Sequence, residues 1–158
     1  MLEFEHLVQV NDLTNSSITA ITRAQLWLGL VLRARSPDKF NQGLSCRSEE
    51  LRENEFVRII GAGKTKFCEK VTLQPEQKIH TATLAEMDQI QAESTATIEE
   101  PETGYLFVRF HYKRELAVDT EAVDVAEHLK SAYVQLDRDA VAMIRMLAES
   151  RLLDESIK

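Results

Sequence analysis

The sequence predicts an α+β domain in which one antiparallel sheet packs against a long C-terminal helix. Three observations carry this. Residues 2–10 alternate apolar and polar; residues 44–112 keep a period of two interrupted by turn signals; the chain after Asp119 returns to helical periodicity. The 158 residues, 44% of them apolar, suit a single domain able to bury a core without disulfides or metals.

In the first strand, Leu2, Phe4, His6, Val8 and Val10 share one face, and Glu3, Glu5 and Gln9 point the other way. A polar stretch from Asn11 to Ser17 leads to Thr22-Arg23-Ala24-Gln25, where a hydroxyl can cap a helix and a glutamine three residues on can reach back. That helix carries Leu26, Trp27, Leu30 and Val31 and should end near Arg35, with Arg23 and Gln25 serving its cap. Ser36 as cap and Pro37 as first helical residue predict a second short helix, stopped by Gly43. Trp27 reads as a packing anchor.

Six strands follow, near 44–51, 55–61, 64–73, 78–85, 89–99 and 105–114, separated by turns at Gly61-Ala62-Gly63, Gln74-Pro75, Met87-Asp88 and Pro101 to Gly104. Strands joined this closely form an antiparallel meander. The last helix shows the stripe Ala122, Ala126, Leu129, Tyr133, Leu136, Ala140, Met143 and Leu147, flanked by Val123, Val125, Val141 and Ile144. Spacings of four and three allow a coiled coil, but three alanines in the seam and the widened apolar face favour a helix lying on the sheet.

Composition excludes several function classes. Nineteen Lys and Arg against 26 Asp and Glu give a net charge of −7 and a pI near 5.2, which argues against a nucleic-acid partner or a polybasic membrane anchor. The longest uncharged apolar run, Leu26 to Leu32, is far short of the roughly 18 residues of a membrane span, and the acidic N-terminus is unlike a signal peptide. A cytoplasmic location without membrane insertion is expected, with Cys46 and Cys68 as free thiols. The four histidines show no metal-ligand spacing, Gly61-Ala62-Gly63-Lys64 lacks the earlier glycine of a phosphate loop, and no nucleophile elbow occurs. No metal and no cofactor are expected.

Candidate binding residues come from facial alternation. A loop on Ala62 and Gly63 would pair Ile60 with Thr65, Arg58 with Phe67 and Phe56 with Glu69. One face then holds Phe56, Arg58, Ile60, Phe67, Glu69, Val71 and Leu73, with Arg58 and Glu69 diagonal neighbours able to anchor a ligand carbonyl or hydroxyl, or to form a structural ion pair. His6 lies on the apolar face of the first strand, as a ligand donor or a core histidine. Ile90, Ala92, Ser94, Ala96 and Ile98 give an inward face with small residues that leave space. A loop over 100–104 would pair Ala96 with Val108 and Ser94 with Phe110, with Tyr112 on the same wall. In the strand near 78–85, His80, Ala82 and Leu84 compete with Ile79, Thr81 and Thr83 for the inward face. The full candidate set is His6, Phe56, Arg58, Phe67, Glu69, Ser94, Val108, Phe110, Tyr112, Leu129, Tyr133 and Leu136.

The element order resembles the START-like, or SRPBCC, superfamily with its helix-grip fold, to which the birch-pollen allergen and its pathogenesis-related relatives belong. Phe4 to Asp12, the segment Leu13 to Pro37 with Thr22-Arg23-Ala24-Gln25-Leu26-Trp27-Leu28-Gly29-Leu30, and Glu69-Lys70-Val71 are similar to the AtaL-like branch of bacterial and fungal proteins. The resemblance implies a seven-stranded curved sheet wrapped around the C-terminal helix, two short helices between strands one and two, and a cavity that in relatives holds apolar small molecules. It also implies a choice of functions, since relatives include carriers, polyketide cyclases and co-chaperone domains. The expected role is binding of an apolar small molecule. The alternatives are a cyclase or dehydratase in which Glu69 or His6 moves a proton, and a protein-interaction module. An exposed sheet edge, or Val57 and Ile59 on the outer face, could serve a homodimer.

Overall fold

The computed structural model describes residues 1–84, 90–116 and 122–153. Seven strands, β1 (Leu2–Gln9), β2 (Leu44–Arg52), β3 (Glu55–Ala62), β4 (Thr65–Gln74), β5 (Lys78–Thr83), β6 (Ala92–Glu102) and β7 (Tyr105–Arg114), form one antiparallel sheet in the order β1-β7-β6-β5-β4-β3-β2. The meander runs from β2 to β7, and β1 closes the sheet on β7, so the first and last strands are neighbours. Helix α1 (Arg23–Arg35) and helix α2 (Ala122–Glu149) cover one face. The expected turn at Met87-Asp88 and the side chains of Ala122 and Val123 lie outside the described residues.

Helix α1 starts as its sequence dictates. Thr22 accepts from the Gln25 N–H and the Gln25 side chain accepts from the Thr22 N–H, a reciprocal capping box. Arg23 serves no cap; its Nε donates to the Glu76 carbonyl and its guanidinium pairs with Glu100, tying the helix to the β4–β5 loop and to β6. The expected second helix is one 3-10 turn, Pro37–Lys39, and the Ser36 side chain makes no capping bond. The core collects Leu26 and Leu30 of α1, Phe56, Val71, Ile98, Leu106, Val108 and Phe110 of the sheet, and Val141 and Ile144 of α2.

Two registers differ from expectation for a backbone reason. The β3–β4 loop is Gly63–Lys64, so Ile60 pairs with Phe67, Arg58 with Glu69 and Phe56 with Val71. Gly63 has φ +62°, a left-handed conformation that a loop on Ala62–Gly63 would have required of Ala62. In the same way, β6 continues through Pro101 to a Thr103–Gly104 loop with Gly104 at φ +88°. An irregularity between Glu99 and Glu102 accommodates the proline, which has no N–H for the ladder. Ala96 therefore pairs with Phe110 and Ser94 with Tyr112. Each pairing moves by two residues, so every side chain keeps its face.

The buried face of α2 is rotated from the expected stripe. Asp137, Ala140, Val141, Ile144 and Ala148 are buried, whereas Leu136 is 41% exposed. Tyr133 and Asp137, four residues apart, thus look toward the sheet.

Candidate functional site

Between α1, α2 and the middle of the sheet lies a cavity of ≈ 310 Å³. Its floor exists because β5 and β6 put short side chains inward: Thr81, Ala92, Ser94 and Ala96 face the space that larger residues would fill. Ile79 and Thr81 are buried there, while His80 on the outer face pairs with Glu93, so the ambiguous strand turns its isoleucine and threonine inward. Leu30, Ile60, Ile79 and Phe110 supply apolar wall, and Tyr133 and Leu136 of α2 complete it.

One end of the cavity is held by Arg58 and Glu69, directly opposite each other on β3 and β4. Arg58 Nε and Nη2 lie 3.0 Å and 2.9 Å from Glu69 Oε1, and Arg58 Nη1 donates to the Ala34 carbonyl at 2.7 Å. The arginine thereby satisfies a carbonyl in the last turn of α1 and fixes the helix over the sheet. Among the described residues no hydrogen bond or ion pair engages Glu69 Oε2.

The other polar group was not legible in the sequence. Asp137 is fully buried, and its Oδ2 accepts from the Tyr112 hydroxyl at 2.5 Å and faces His6 Nε2 at 2.7 Å. Arg33 Nη1 stands 2.9 Å from Oδ1, close enough for an ion pair but without the alignment of a hydrogen bond. His6 Nδ1 is buried without a hydrogen-bond partner among the described residues. Burial first, and then the negative charge of Asp137, push the Tyr112 phenol far above its ordinary range, which keeps the hydroxyl as a donor. Rings continue the cluster outward: Tyr112 stacks on Tyr133 at 4.3 Å and on Phe4 at 5.3 Å, and His6 stacks on Phe110 at 5.3 Å.

Of the expected residues, Arg58, Glu69, Ser94, Phe110, Tyr112, Tyr133 and Leu136 line the cavity. His6 reaches it only through Asp137 and Tyr112, and Phe56 and Val108 are core residues behind its wall. Phe67 faces the expected way but sits next to the hairpin loop, 37% exposed, where neither helix covers it. Leu129 is half-buried and does not line the cavity. Arg33 and Asp137 were missed because each is a charge adjoining an apolar stripe, which ordinarily marks the solvent boundary. The available signal was the i,i+4 ladder Tyr133, Asp137, Val141 on α2, matched on α1 by Gly29 and Arg33.

Among the described residues no helix is long and apolar enough to cross a membrane, and no group of three or more His, Cys, Asp or Glu is placed to hold a metal ion. Cys46 and Cys68 form no disulfide among the described residues, and burial pushes the Cys46 thiol up from its ordinary value.

The fold is shared with solved structures. The di-domain aromatase/cyclase StfQ of the steffimycin biosynthetic pathway superposes with a TM-score of 0.71 at 12% identity over 96% of this chain and 52% of its own. This chain thus spans about half the length of that protein and of a second di-domain relative, BexL. The Zhui aromatase/cyclase from Streptomyces sp. R1128 matches with a TM-score of 0.64 at 14% identity, over 95% of this chain and 94% of its own. A START superfamily protein from Mycobacterium smegmatis gives 0.66 at 10% identity, over 93% and 99%. Identities this low establish the helix-grip fold alone. Among curated proteins there is no sequence match. Family membership comes from the sequence itself: residues 8–151 match the model of the AtaL family, described as acetylaranotin biosynthesis cluster protein L, and the chain belongs to that family.

Proposed function

We propose that this protein binds a small molecule with an apolar body in the cavity between sheet and helices. The observation that carries the reading is the cavity itself: ≈ 310 Å³ of space whose exposed lining is mostly apolar, with Leu30, Ile60, Ile79 and Phe110 on its walls and charged and hydroxyl side chains set between them. Concave, mainly apolar sites with a small number of placed polar groups are the usual form of small-molecule pockets. The short side chains on β5 and β6 support the same reading, since a sheet face built only for packing would be filled to crystal-like density.

Titration with the neutral fluorophore N-phenyl-1-naphthylamine tests it. Saturable one-to-one binding is expected, and Ser94→Trp, which projects an indole into the cavity from β6 opposite Tyr112, should weaken it at least about tenfold. No saturable binding by folded wild-type protein, or equal binding by folded Ser94→Trp, would sink the proposal.

A second reading, an enzyme of the cyclase or dehydratase type, is favoured by Glu69 at the cavity wall, whose Oε2 has no partner among the described residues. There Glu69 takes a proton from an enolisable substrate while Arg58 holds its other oxygen. Turnover of such a substrate should show a pH–rate profile whose basic-form limb disappears in Glu69→Gln; an unchanged profile in that variant would exclude Glu69 as the base. Aromatase/cyclases among the structural neighbours are consistent with this alternative but share only the fold.

A further inference from the structure

Given that the cavity is a ligand site, its charges say which ligands it prefers. Three guanidiniums line it, and two are already committed. Arg58 is bound to Glu69 and the Ala34 carbonyl, and Arg114 donates to the Glu115 carbonyl and the Tyr133 hydroxyl. Arg33 is different. Its one polar contact among the described residues is Nη1 against Asp137 Oδ1, and its guanidinium carbon lies 5.9 Å from the centre of the Phe110 ring. A guanidinium carries five N–H donors, so most of those on Arg33 are unspent at the cavity wall.

Nor does Asp137 neutralise it fully. The same carboxylate takes Tyr112 and His6 on Oδ2, which draws its charge toward those donors, while Oδ1 meets Arg33 off-axis. Among the described residues, Glu69 and Glu93 at the lining and Asp137 behind it oppose four cations, Arg33, Arg58, Lys113 and Arg114, and Glu69 is held by Arg58 and Glu93 by His80. The interior therefore carries a surplus of positive charge inside a protein of net charge −7. The overall charge does not cancel this, because fields in physiological salt fall off over about 8 Å and the partly buried guanidinium acts at contact.

We propose that Arg33 anchors an anionic oxygen of the ligand, a carboxylate, enolate or phenolate, whose flat apolar body lies along Phe110 and the alanines of β6. Bidentate geometry makes arginine suited to such an oxyanion, and Asp137 holds the side chain in place for it.

Two near-isosteric probes separate charge recognition from simple cavity binding: 2-naphthoate, anionic at pH 7, and 2-naphthamide, neutral. Wild-type protein should prefer the naphthoate about tenfold, the worth of a charge-assisted hydrogen bond. Arg33→Met should bring the ratio close to one with the naphthamide affinity little changed, and Arg33→Lys should keep part of it. Titration of wild-type protein with the naphthoate should also shift the NMR signal of the Arg33 Nε–H, a readout that needs no variant to fold. Equal affinity for both probes, or a preference surviving in Arg33→Met, overturns the role of Arg33 and leaves the cavity reading standing. Binding of neither probe overturns both.

Discussion

Asp137→Ala is expected to destabilise the protein by about 3 kcal/mol, the lower end of the range for breaking a buried ion pair. The substitution strips the largely buried Tyr112 hydroxyl and His6 Nε2 of their acceptor, and strands the positive charge of Arg33. The lower end applies because the Arg33 side chain is 25% exposed and recovers some hydration. Asp137→Asn keeps an acceptor for Tyr112 and should lose roughly half as much. Urea unfolding measures both, with the slope m expected to stay constant while the midpoint falls. In the Asp137→Ala background Tyr112→Phe should be nearly neutral, because the hydroxyl then has nothing to bond; additive losses, or an Asp137→Ala effect below about 0.5 kcal/mol, would mean the cluster is solvated.

The second large effect lies where the two helices touch. Ile144→Ala should cost about 3 kcal/mol, since Ile144 is fully buried in the core. Its neighbour across the contact is Gly29, where an added Cβ would stand 2.4 Å from Ile144 Cγ2 and 2.7 Å from Cγ1. Gly29→Ala alone should therefore cost about 1–3 kcal/mol from overpacking, despite the roughly 1 kcal/mol that alanine gains over glycine in a helix. With Ile144→Ala already in place the nearest remaining atom is Cβ at 3.0 Å, which a small helix shift relieves, and Gly29→Ala should then be close to neutral. A thermal or urea double-mutant cycle should give a coupling of about 1–2 kcal/mol. Additivity would show that α1 and α2 are not pressed together at this point.

The same contact explains why the cavity is where it is. Gly29 lets α1 approach α2 closely at Ile144, while four residues later Arg33 meets Asp137, so a tight apolar contact gives way along the helix to a polar pair. Beyond that pair the helices stand over Ser94 and Ala96, and the sheet has nothing long enough to fill the gap.

How much of this was legible in the sequence differs from feature to feature. Alternation in residues 2–10 and along the meander placed His6, Arg58, Glu69, Ser94, Phe110 and Tyr112 on the helix-facing side, because a period of two survives any register change by two residues. The loops themselves were misplaced by a residue or two, since the choice between Ala62–Gly63 and Gly63–Lys64 turns on which position needs a positive φ. On α2 the heptad-like stripe favoured Leu136 over Asp137, and the structure reverses them. Hydrophobic periodicity ranks a leucine above an aspartate at any interior position; it holds no information about a tyrosine, a histidine and an arginine arriving from three other elements to satisfy that aspartate.

The sequence by itself determined the order of elements, the capping of α1, the inward faces of the strands and the same-side placement of Arg58 with Glu69, because each depends on residues near one another in the chain or on simple alternation. Only the tertiary structure decided that Asp137 is buried, that Arg33 keeps spare donors, that Phe67 falls outside the covered sheet and that the space above Ser94 stays open. Those outcomes depend on the rotation of α2 and the approach of α1, which are set by packing between segments more than a hundred residues apart, and a one-dimensional pattern does not encode the angle at which two helices meet.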